Sequence, residues 1–293
     1  MIAHTKPNPL DCPICGHSSN FVFVSMHGRP IHECVEHACG HFFTPALQAD
    51  QGICERDVVI ERESDQDFSL YGERNERLLV RLRKLLPEIT RPFRLLDFGA
   101  GNAHMSRTFK AKLGDSAEIY CFEPNENCHR LYARNGLVHI AALDSIPDGL
   151  DLIYMIEVIE HLEDPIAILR FLRSKLGETG KIFLSTPHGS RYERFTNAYE
   201  TRSHLHFFTE TSLNLALDKA GFTPIEFTFV SDMYPKPRGV VRTSVQTLRG
   251  WMFKYRSSIS SVAKFVVGPD KAAVFQRSFH LVGATRPTGK SEA

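Results

Sequence analysis

Short apolar runs alternate with helical patterns over residues 94–220, and this alternation constrains the fold more than any other feature of the sequence. The helical patterns place apolar residues three or four positions apart, and the runs between them have the length of buried strands. Repeated strand–helix units form a parallel sheet with helices on both faces. The sequence therefore predicts an α/β fold with a doubly wound, mostly parallel sheet of seven strands. The predicted strands are 94–98, 118–122, 137–141, 152–156, 181–185, 225–230 and 274–284, and the predicted helices are 77–86, 105–113, 125–135, 165–176 and 210–220.

Charge and hydropathy limit the partners of the chain. Its 35 Lys and Arg residues face 34 Asp and Glu residues, so the formal net charge is +1. Such a balance provides no overall attraction to nucleic acid or to an anionic membrane. No window approaches the roughly eighteen apolar residues of a membrane span, and the N-terminus lacks the basic-then-apolar layout of a signal peptide. We therefore expect a cytoplasmic protein with no membrane span.

Four of the seven cysteines lie in the first forty residues, in a C-x2-C pair and a C-x4-C pair. Disulfides are rare in a reducing compartment, whereas paired cysteines of this spacing hold tetrahedral zinc. Because the segment is too small to bury much core, a structural zinc ion would replace that core. The predicted ligands are Cys12, Cys15, Cys34 and Cys39, with His37 or His41 as an alternative to one thiol. Residues 1–49 thus form a predicted zinc-ribbon-like unit.

A glycine loop follows the first predicted strand of the sheet. The strand ends at Asp97, and Gly99 and Gly101 turn the chain into a helix. Glycines there let the backbone approach a ligand, and the helix N-terminus offers unpaired N–H groups to an anion. A dinucleotide fingerprint would have a third glycine, where this chain has His104. At the end of the next strand, Glu123 can accept hydrogen bonds from both ribose hydroxyls of an adenosine.

The loop and the second acid resemble the first two motifs of the class I S-adenosylmethionine-dependent methyltransferases, and the likeness covers about residues 78–230. It implies a Rossmann-like core that binds S-adenosylmethionine. By this resemblance Gly99 and Gly101 line the methionine part of the cofactor, Asp97 orients the loop and the cofactor's amino group, and Glu123 holds the ribose. Asn102 and Glu157 are the remaining candidates for cofactor binding.

A second cluster of polar residues follows the fourth predicted strand. Glu157, Glu160 and His161 would share one face of a helical turn, where they could hold a weakly bound divalent metal ion or act as acid and base. The run resembles the E-V-apolar-E-H segment of methyltransferases related to ubiquinone O-methylation and sugar C-methylation. In the alternative interpretation, Glu157 lines the cofactor pocket while Glu160 and His161 cap the next helix.

His204 is the candidate general base. The segment His204-Leu-His206-Phe-Phe-Thr209 resembles the H-L-x-x-F-(S/T) run of the sugar C-methyltransferases, although Ser203 stands where a glutamate often precedes the histidine. An imidazole suits proton removal because it titrates near neutral pH. We expect His206 to pack instead of reaching the cofactor. His188 and Tyr192 are weaker catalytic candidates.

The remaining residues divide into a linker over 50–76, a catalytic core over 77–233, an insert over 234–272, and a final strand with a flexible tail over 273–293. The insert carries eight Lys and Arg residues against Asp270 alone. It is either a helical lid or an anion-binding surface over the active site, or a solvated helical excursion.

These features favour methyl transfer to a hydroxyl or activated carbon of a small, sugar-like acceptor such as a nucleotide sugar. His204 would be the base, and Glu160 or His161 would assist. One alternative is an rRNA or tRNA methyltransferase whose zinc unit binds RNA, although the neutral charge argues against it. The others are a non-catalytic zinc-ribbon binding protein and, as the weakest, a nicotinamide oxidoreductase.

Overall fold

The computed structural model describes residues 10–25, 28–45, 72, 75–76, 78–86, 91–187, 189, 204–223, 225–230 and 279–285. The predicted basic insert, most of the predicted linker, and the candidates His188 and Tyr192 lie outside these residues. Among the described residues, no helix has both the length and the apolar character that crossing a membrane requires.

Eleven strands and four α-helices make up the described structure. The strands are β1 (Ser19–Val24), β2 (Pro30–Cys34), β3 (Phe42–Phe43), β4 (Phe93–Phe98), β5 (Ala117–Phe122), β6 (Val138–Ile140), β7 (Leu150–Ile156), β8 (Leu176–Pro187), β9 (His206–Phe207), β10 (Ile225–Val230) and β11 (Phe279–Thr285). The helices are α1 (His104–Leu113), α2 (Glu126–Arg134), α3 (Pro165–Lys175) and α4 (Glu210–Lys219), and residues 78–83 are also helical.

The larger sheet has the strand order β10-β11-β8-β7-β4-β5-β6. Strands β8, β7, β4, β5 and β6 are parallel, and β11 is antiparallel to both of its neighbours. The parallel α/β class predicted from the strand–helix alternation is confirmed. The chain leaves β4 toward β5 on one side and returns to β7 on the other. This reversal creates a crevice at the carboxyl end of β4, where open α/β sheets bind their ligands.

Two hydrophobic clusters cover opposite faces of this sheet. Leu96 packs in the cluster that includes residues of α3 and α4, whereas its neighbour Leu95 packs in the cluster that includes residues of α1, α2 and the helical residues 78–82. Adjacent strand residues point to opposite faces, so both faces of β4 are buried. The predicted placement of helices on both faces is confirmed.

Strand β8 begins earlier than the sequence predicts. Helix α3 ends at Lys175 and the chain enters the strand directly at Leu176, whereas the expected start was Lys181. Gly180 allows this path, because a Cβ atom there would lie 2.4 Å from the carbonyl oxygen of Leu150 on β7. The segment Gly177-Glu-Thr-Gly180 has neither apolar alternation nor β-branched enrichment, so no local signal marks it as strand.

A smaller antiparallel sheet has the order β1-β2-β3-β9, and its strand β2 ends at Cys34. Alternating residues up to Ser25 and a turn at 27–30 predict a hairpin between Phe21 and Cys34, and β1 and β2 form that hairpin. The outer strand β9 comes from the C-terminal half of the chain and pairs Phe207 with Phe42 and His206 with Phe43. The sequence predicted no strand there. The N-terminal unit is therefore joined by backbone hydrogen bonds to the C-terminal half of the chain.

Candidate functional site

The glycine loop after β4 has the geometry of a ligand cradle. Gly99 and Gly101 have φ angles of +76° and +49°, which L-residues rarely adopt. A Cβ atom at Gly99 would lie 2.5 Å from a methyl carbon of Val158, whereas one at Gly101 would have no atom within 4 Å. Helix α1 begins just beyond, with no acidic residue in its first turn and no side-chain cap. The loop thus presents open space beside uncapped backbone donors.

Asp97 fastens the loop to α1. Its carboxylate is buried and accepts a 2.6 Å hydrogen bond from Ser106, whose hydroxyl is also 2.6 Å from the hydroxyl of Tyr154. Burial raises the pKa of Asp97 to about 7. The predicted role of Asp97 in orienting the loop agrees with these contacts. Its predicted contact with the cofactor's amino group stays a prediction.

This buried carboxyl makes stability depend on pH. The pKa of Asp97 is raised from 3.8 to about 7. Between these two pH values, Asp97 keeps its proton in the folded chain and has lost it in the unfolded chain. This contribution to the free energy of unfolding is present at low pH and is lost as the pH rises through that window. The variant Asp97→Asn stays neutral and should show a smaller fall in stability between pH 5 and pH 8. Urea unfolding at both pH values measures this, and equal falls in the two proteins would contradict it.

Glu123 connects the end of β5 to the glycine loop. Its two carboxylate oxygens accept hydrogen bonds of 2.9 Å from the amides of Gly101 and Asn125. Tyr132 donates a 2.8 Å hydrogen bond to the carbonyl oxygen of Gly101. Each Glu123 oxygen keeps a second lone pair for a hydroxyl. With Asn102 half-buried on the same loop, these residues fit the adenosine and methionine parts of S-adenosylmethionine.

Glu157 lies apart from the turn on which the sequence placed it. Its φ angle is +60°, and the short 3-10 helix begins two residues later, at Ile159. Its amide donates to the carbonyl oxygen of Ser185 at 2.9 Å, and the Ser185 hydroxyl donates to its carboxylate at 2.9 Å. The expectation that Glu157, Glu160 and His161 share one helical face is wrong. Glu157 has a left-handed backbone conformation and lies outside the 3-10 helix, which contains the other two residues.

The structure instead groups Glu160 and His161 with His204. One ligand atom from each residue lies within 4.8 Å of the other two. The Nε2 atom of His204 lies 3.9 Å from Oε1 of Glu160, and the rings of His161 and His204 meet edge to face with centroids 4.7 Å apart. The three candidate catalytic residues, which come from two distant segments, therefore form one cluster.

Glu160 is held rigidly in this cluster. It is fully buried, its Oε2 atom accepts a 3.0 Å hydrogen bond from Thr186, and its backbone carbonyl accepts one of 2.8 Å from the amide of Leu205. Burial, together with the charge of Glu157, raises the pKa of Glu160 well above its ordinary value. The surroundings of Glu160 therefore favour its protonated form more than water does.

His206 faces the N-terminal unit instead of this cluster. Its Nε2 atom lies 2.8 Å from the carbonyl oxygen of Leu162, and its Nδ1 atom lies 3.1 Å from Nε2 of His41. Burial lowers the pKa of His206 to about 4. His204 thus contacts Glu160 and His161, whereas His206 contacts the N-terminal unit.

The four N-terminal cysteines converge on one point. The Sγ atoms of Cys12 and Cys39 are 3.8 Å apart, those of Cys15 and Cys34 are 3.3 Å apart, and all four lie within 4.8 Å of one another. A hydrogen bond from Cys39 lowers the pKa of Cys12 to about 5, which favours a thiolate. Four convergent sulfur donors fit a closed tetrahedral zinc site.

Neither histidine that the sequence offered as an alternative to one thiol lies with the four cysteines. His37 is exposed and His41 contacts His206.

Four polar partners of the site were missed by sequence reasoning: Ser106, Tyr154, Ser185 and Thr186. The register of the parallel strands β7 and β8 explains the position of the last two. Ser185 pairs with Ile156, which directly precedes Glu157, and Thr186 is the next residue of β8.

Comparison with known proteins identifies a family for the core of the chain. The profile of the methyltransferase-domain family matches residues 71–226, slightly more than half of the 293 residues. No curated protein matches the sequence. Similar solved structures include an S-adenosylmethionine-dependent methyltransferase from Archaeoglobus fulgidus, with 18% identity, 72% of this chain and 94% of that chain covered, and a TM-score of 0.47.

Two further structures resemble the chain to the same degree. A methyltransferase from Mesorhizobium loti has 18% identity, 70% and 96% coverage and a TM-score of 0.44. The Haemonchus contortus phosphoethanolamine N-methyltransferase 2 has 13% identity, 96% and 71% coverage and a TM-score of 0.48. Because the family profile covers more than half of its residues, the chain belongs to the methyltransferase-domain family and is a methyl-transferring enzyme that uses S-adenosylmethionine.

Proposed function

We propose that this enzyme methylates a hydroxyl or an activated carbon of a small, sugar-like acceptor, such as a nucleotide sugar, with His204 as general base. The observation that carries the proposal is the position of the Glu160–His161–His204 cluster. Val158, on the chain between Glu157 and the 3-10 helix, packs directly against Gly99 of the cofactor loop. The segment that carries Glu160 and His161, the two residues in contact with His204, therefore also contacts the cofactor loop.

S-adenosylmethionine, when bound, supplies a methyl group on a positively charged sulfur, which is a strong electrophile. The protein then has to orient the acceptor in line with that methyl group, exclude water and remove one proton. We assign the removal to His204, which takes the proton from the acceptor's O–H or C–H as the new bond to the methyl carbon forms. Glu160 supports this step, because its carboxyl lies 3.9 Å from Nε2 of His204, where negative charge would stabilise the resulting imidazolium.

A second use of the cluster is binding of a divalent metal ion. It is favoured by the spacing of Glu160, His161 and His204, whose ligand atoms lie within 4.8 Å of one another. Such an ion would lower the pKa of an acceptor hydroxyl. Titration with Mn²⁺ followed by electron paramagnetic resonance tests this use. Binding that disappears in His161→Ala would support it, and equal binding by that variant would contradict it.

The proposed function is tested with purified protein in two steps. S-adenosylhomocysteine and NADH are first compared as ligands in a thermal-shift assay, where only S-adenosylhomocysteine should raise the melting temperature. Methyl-labelled donor is then incubated with pools of nucleotide sugars, quinone precursors and RNA. We expect label in the nucleotide-sugar pool. Label retained in RNA alone would overturn the proposed acceptor class and favour the RNA methyltransferase alternative.

A further inference from the structure

We propose that the N-terminal cysteine unit, residues 10–45, is a positioning element of the active site, and that His206 is the residue through which it positions His204. This inference rests on the proposed role of His204. It concerns how the unit acts on that residue, and it assigns His206 no contact with cofactor or acceptor.

The backbone next to His204 is held from two sides. The amide of Leu205 donates to the carbonyl oxygen of Glu160 at 2.8 Å, and the carbonyl oxygen of Leu205 accepts from the amide of Thr44 at 2.9 Å. Thr44 directly follows β3, whose pairing with β9 continues this ladder. Leu205, which directly follows the proposed base His204, is thus bonded on one side to Glu160 and on the other to the cysteine unit.

A chain of side-chain hydrogen bonds runs parallel to this ladder. A carbonyl oxygen can only accept, so Nε2 of His206 donates to Leu162, and the unprotonated Nδ1 then accepts from Nε2 of His41. Leu162 directly follows His161. His206 therefore ties the cysteine unit to the turn that carries Glu160 and His161.

The cysteine pairs themselves are anchored on α4. The carbonyl oxygen of Cys39 accepts from the hydroxyl of Thr211 at 3.1 Å, and the carbonyl oxygen of Ile14 accepts from Nζ of Lys219 at 2.8 Å. Cys12, Cys34 and Cys39 are buried in the same hydrophobic cluster as Phe208 and residues of α4. This face of the unit is covered by the catalytic core, so ordering of the cysteines by a metal is transmitted to the segment that carries His204.

The first test uses hydrogen exchange. The protein is purified with zinc, its metal content is measured, and a matched sample is stripped with a chelator. We expect amides 205–208 to lose at least tenfold in protection in the stripped sample, while the β4 and β5 amides keep theirs. Unchanged protection at 205–208 after confirmed loss of zinc would overturn the proposal.

The second test separates positioning from folding and keeps the metal in place. His206→Phe fills the site but cannot bond to Leu162 or His41, whereas His206→Gln retains a donor for Leu162. With zinc content unchanged, we expect His206→Phe to lose protection at 205–208 and to lower kcat about tenfold at constant KM for S-adenosylmethionine. His206→Gln should recover most of both.

The outcomes distinguish this inference from the proposed function. Full activity in His204→Ala would overturn the role of His204 as general base. The hydrogen-exchange results would still show whether the cysteine unit orders residues 205–208. Normal protection and normal kcat in His206→Phe would overturn the coupling, whatever the role of His204. If the stripped protein unfolds throughout, the zinc-loaded His206 variants decide.

Discussion

Replacing His204 with alanine is expected to lower methyl-transfer turnover by about a hundredfold or more, with S-adenosylhomocysteine affinity nearly unchanged. The reason is geometric: His204 lies 3.9 Å from Glu160, whereas the cofactor cradle is built from Gly99, Gly101 and Glu123. Removing the imidazole removes the proton acceptor and leaves the cradle intact. Turnover with labelled donor and calorimetric titration of S-adenosylhomocysteine measure the two effects.

Two control variants separate proton transfer from packing at this position. His204→Gln keeps a polar side chain of similar reach but cannot take up a proton, so it should be as inactive as the alanine variant. His17→Ala, which changes an exposed histidine of the N-terminal unit, should retain full activity. Recovery of turnover by His204→Gln, or equal loss of cofactor affinity in His204→Ala, would refute the role of general base.

The second large effect is expected at Gly99, where alanine should lower the free energy of unfolding by about 2–5 kcal/mol. Placing an L-residue in the left-handed region costs about 1–2 kcal/mol, and overpacking adds about 1–3 kcal/mol. Both apply, because φ is +76° and the new Cβ atom would lie 2.5 Å from a methyl carbon of Val158. Urea denaturation of the purified variant measures the loss.

Gly101 is the matched comparison, since its φ is also positive but nothing lies within 4 Å of the new Cβ atom. Gly101→Ala should pay only the backbone cost, about 1–2 kcal/mol, yet weaken S-adenosylhomocysteine binding more than tenfold by occupying the cradle. The double variant Gly99→Ala/Val158→Ala should be more stable than Gly99→Ala alone. Wild-type stability of Gly99→Ala would show that the loop is not constrained as described.

The parallel sheet and the cofactor loop could be predicted because their signals are local. A strand that ends at Asp97, two glycines within the next four residues and an acid after the following strand are all visible as contiguous patterns. The side chains that hold Asp97 were not visible, since Ser106 bonds to it from α1 and Tyr154 of β7 bonds in turn to the Ser106 hydroxyl. Their identity depends on packing between elements, which sequence spacing does not encode.

The cluster of Glu160, His161 and His204 likewise could be predicted only in part. Glu160 and His161 could be singled out from their motif, but the helical face drawn through Glu157 failed because that residue adopts φ +60°. The proximity of His204 to Glu160 arises across the chain. Strand β9 was likewise invisible, because two residues carry no periodicity and their pairing partner lies in the N-terminal unit.

The pairing of β9 with β3 has a consequence for how the protein is made. His41 and His206 lie 165 residues apart. At a synthesis rate of about 5–20 residues per second, β9 therefore emerges from the ribosome roughly ten to thirty seconds after β3, and only then can the N-terminal sheet be completed. During that interval the edge of β3 has no native partner and is open to pairing with other nascent chains. Early capture of zinc by the cysteines would hold the N-terminal strands in their native arrangement until β9 is made, and would couple metal supply in the cell to the yield of correctly assembled enzyme.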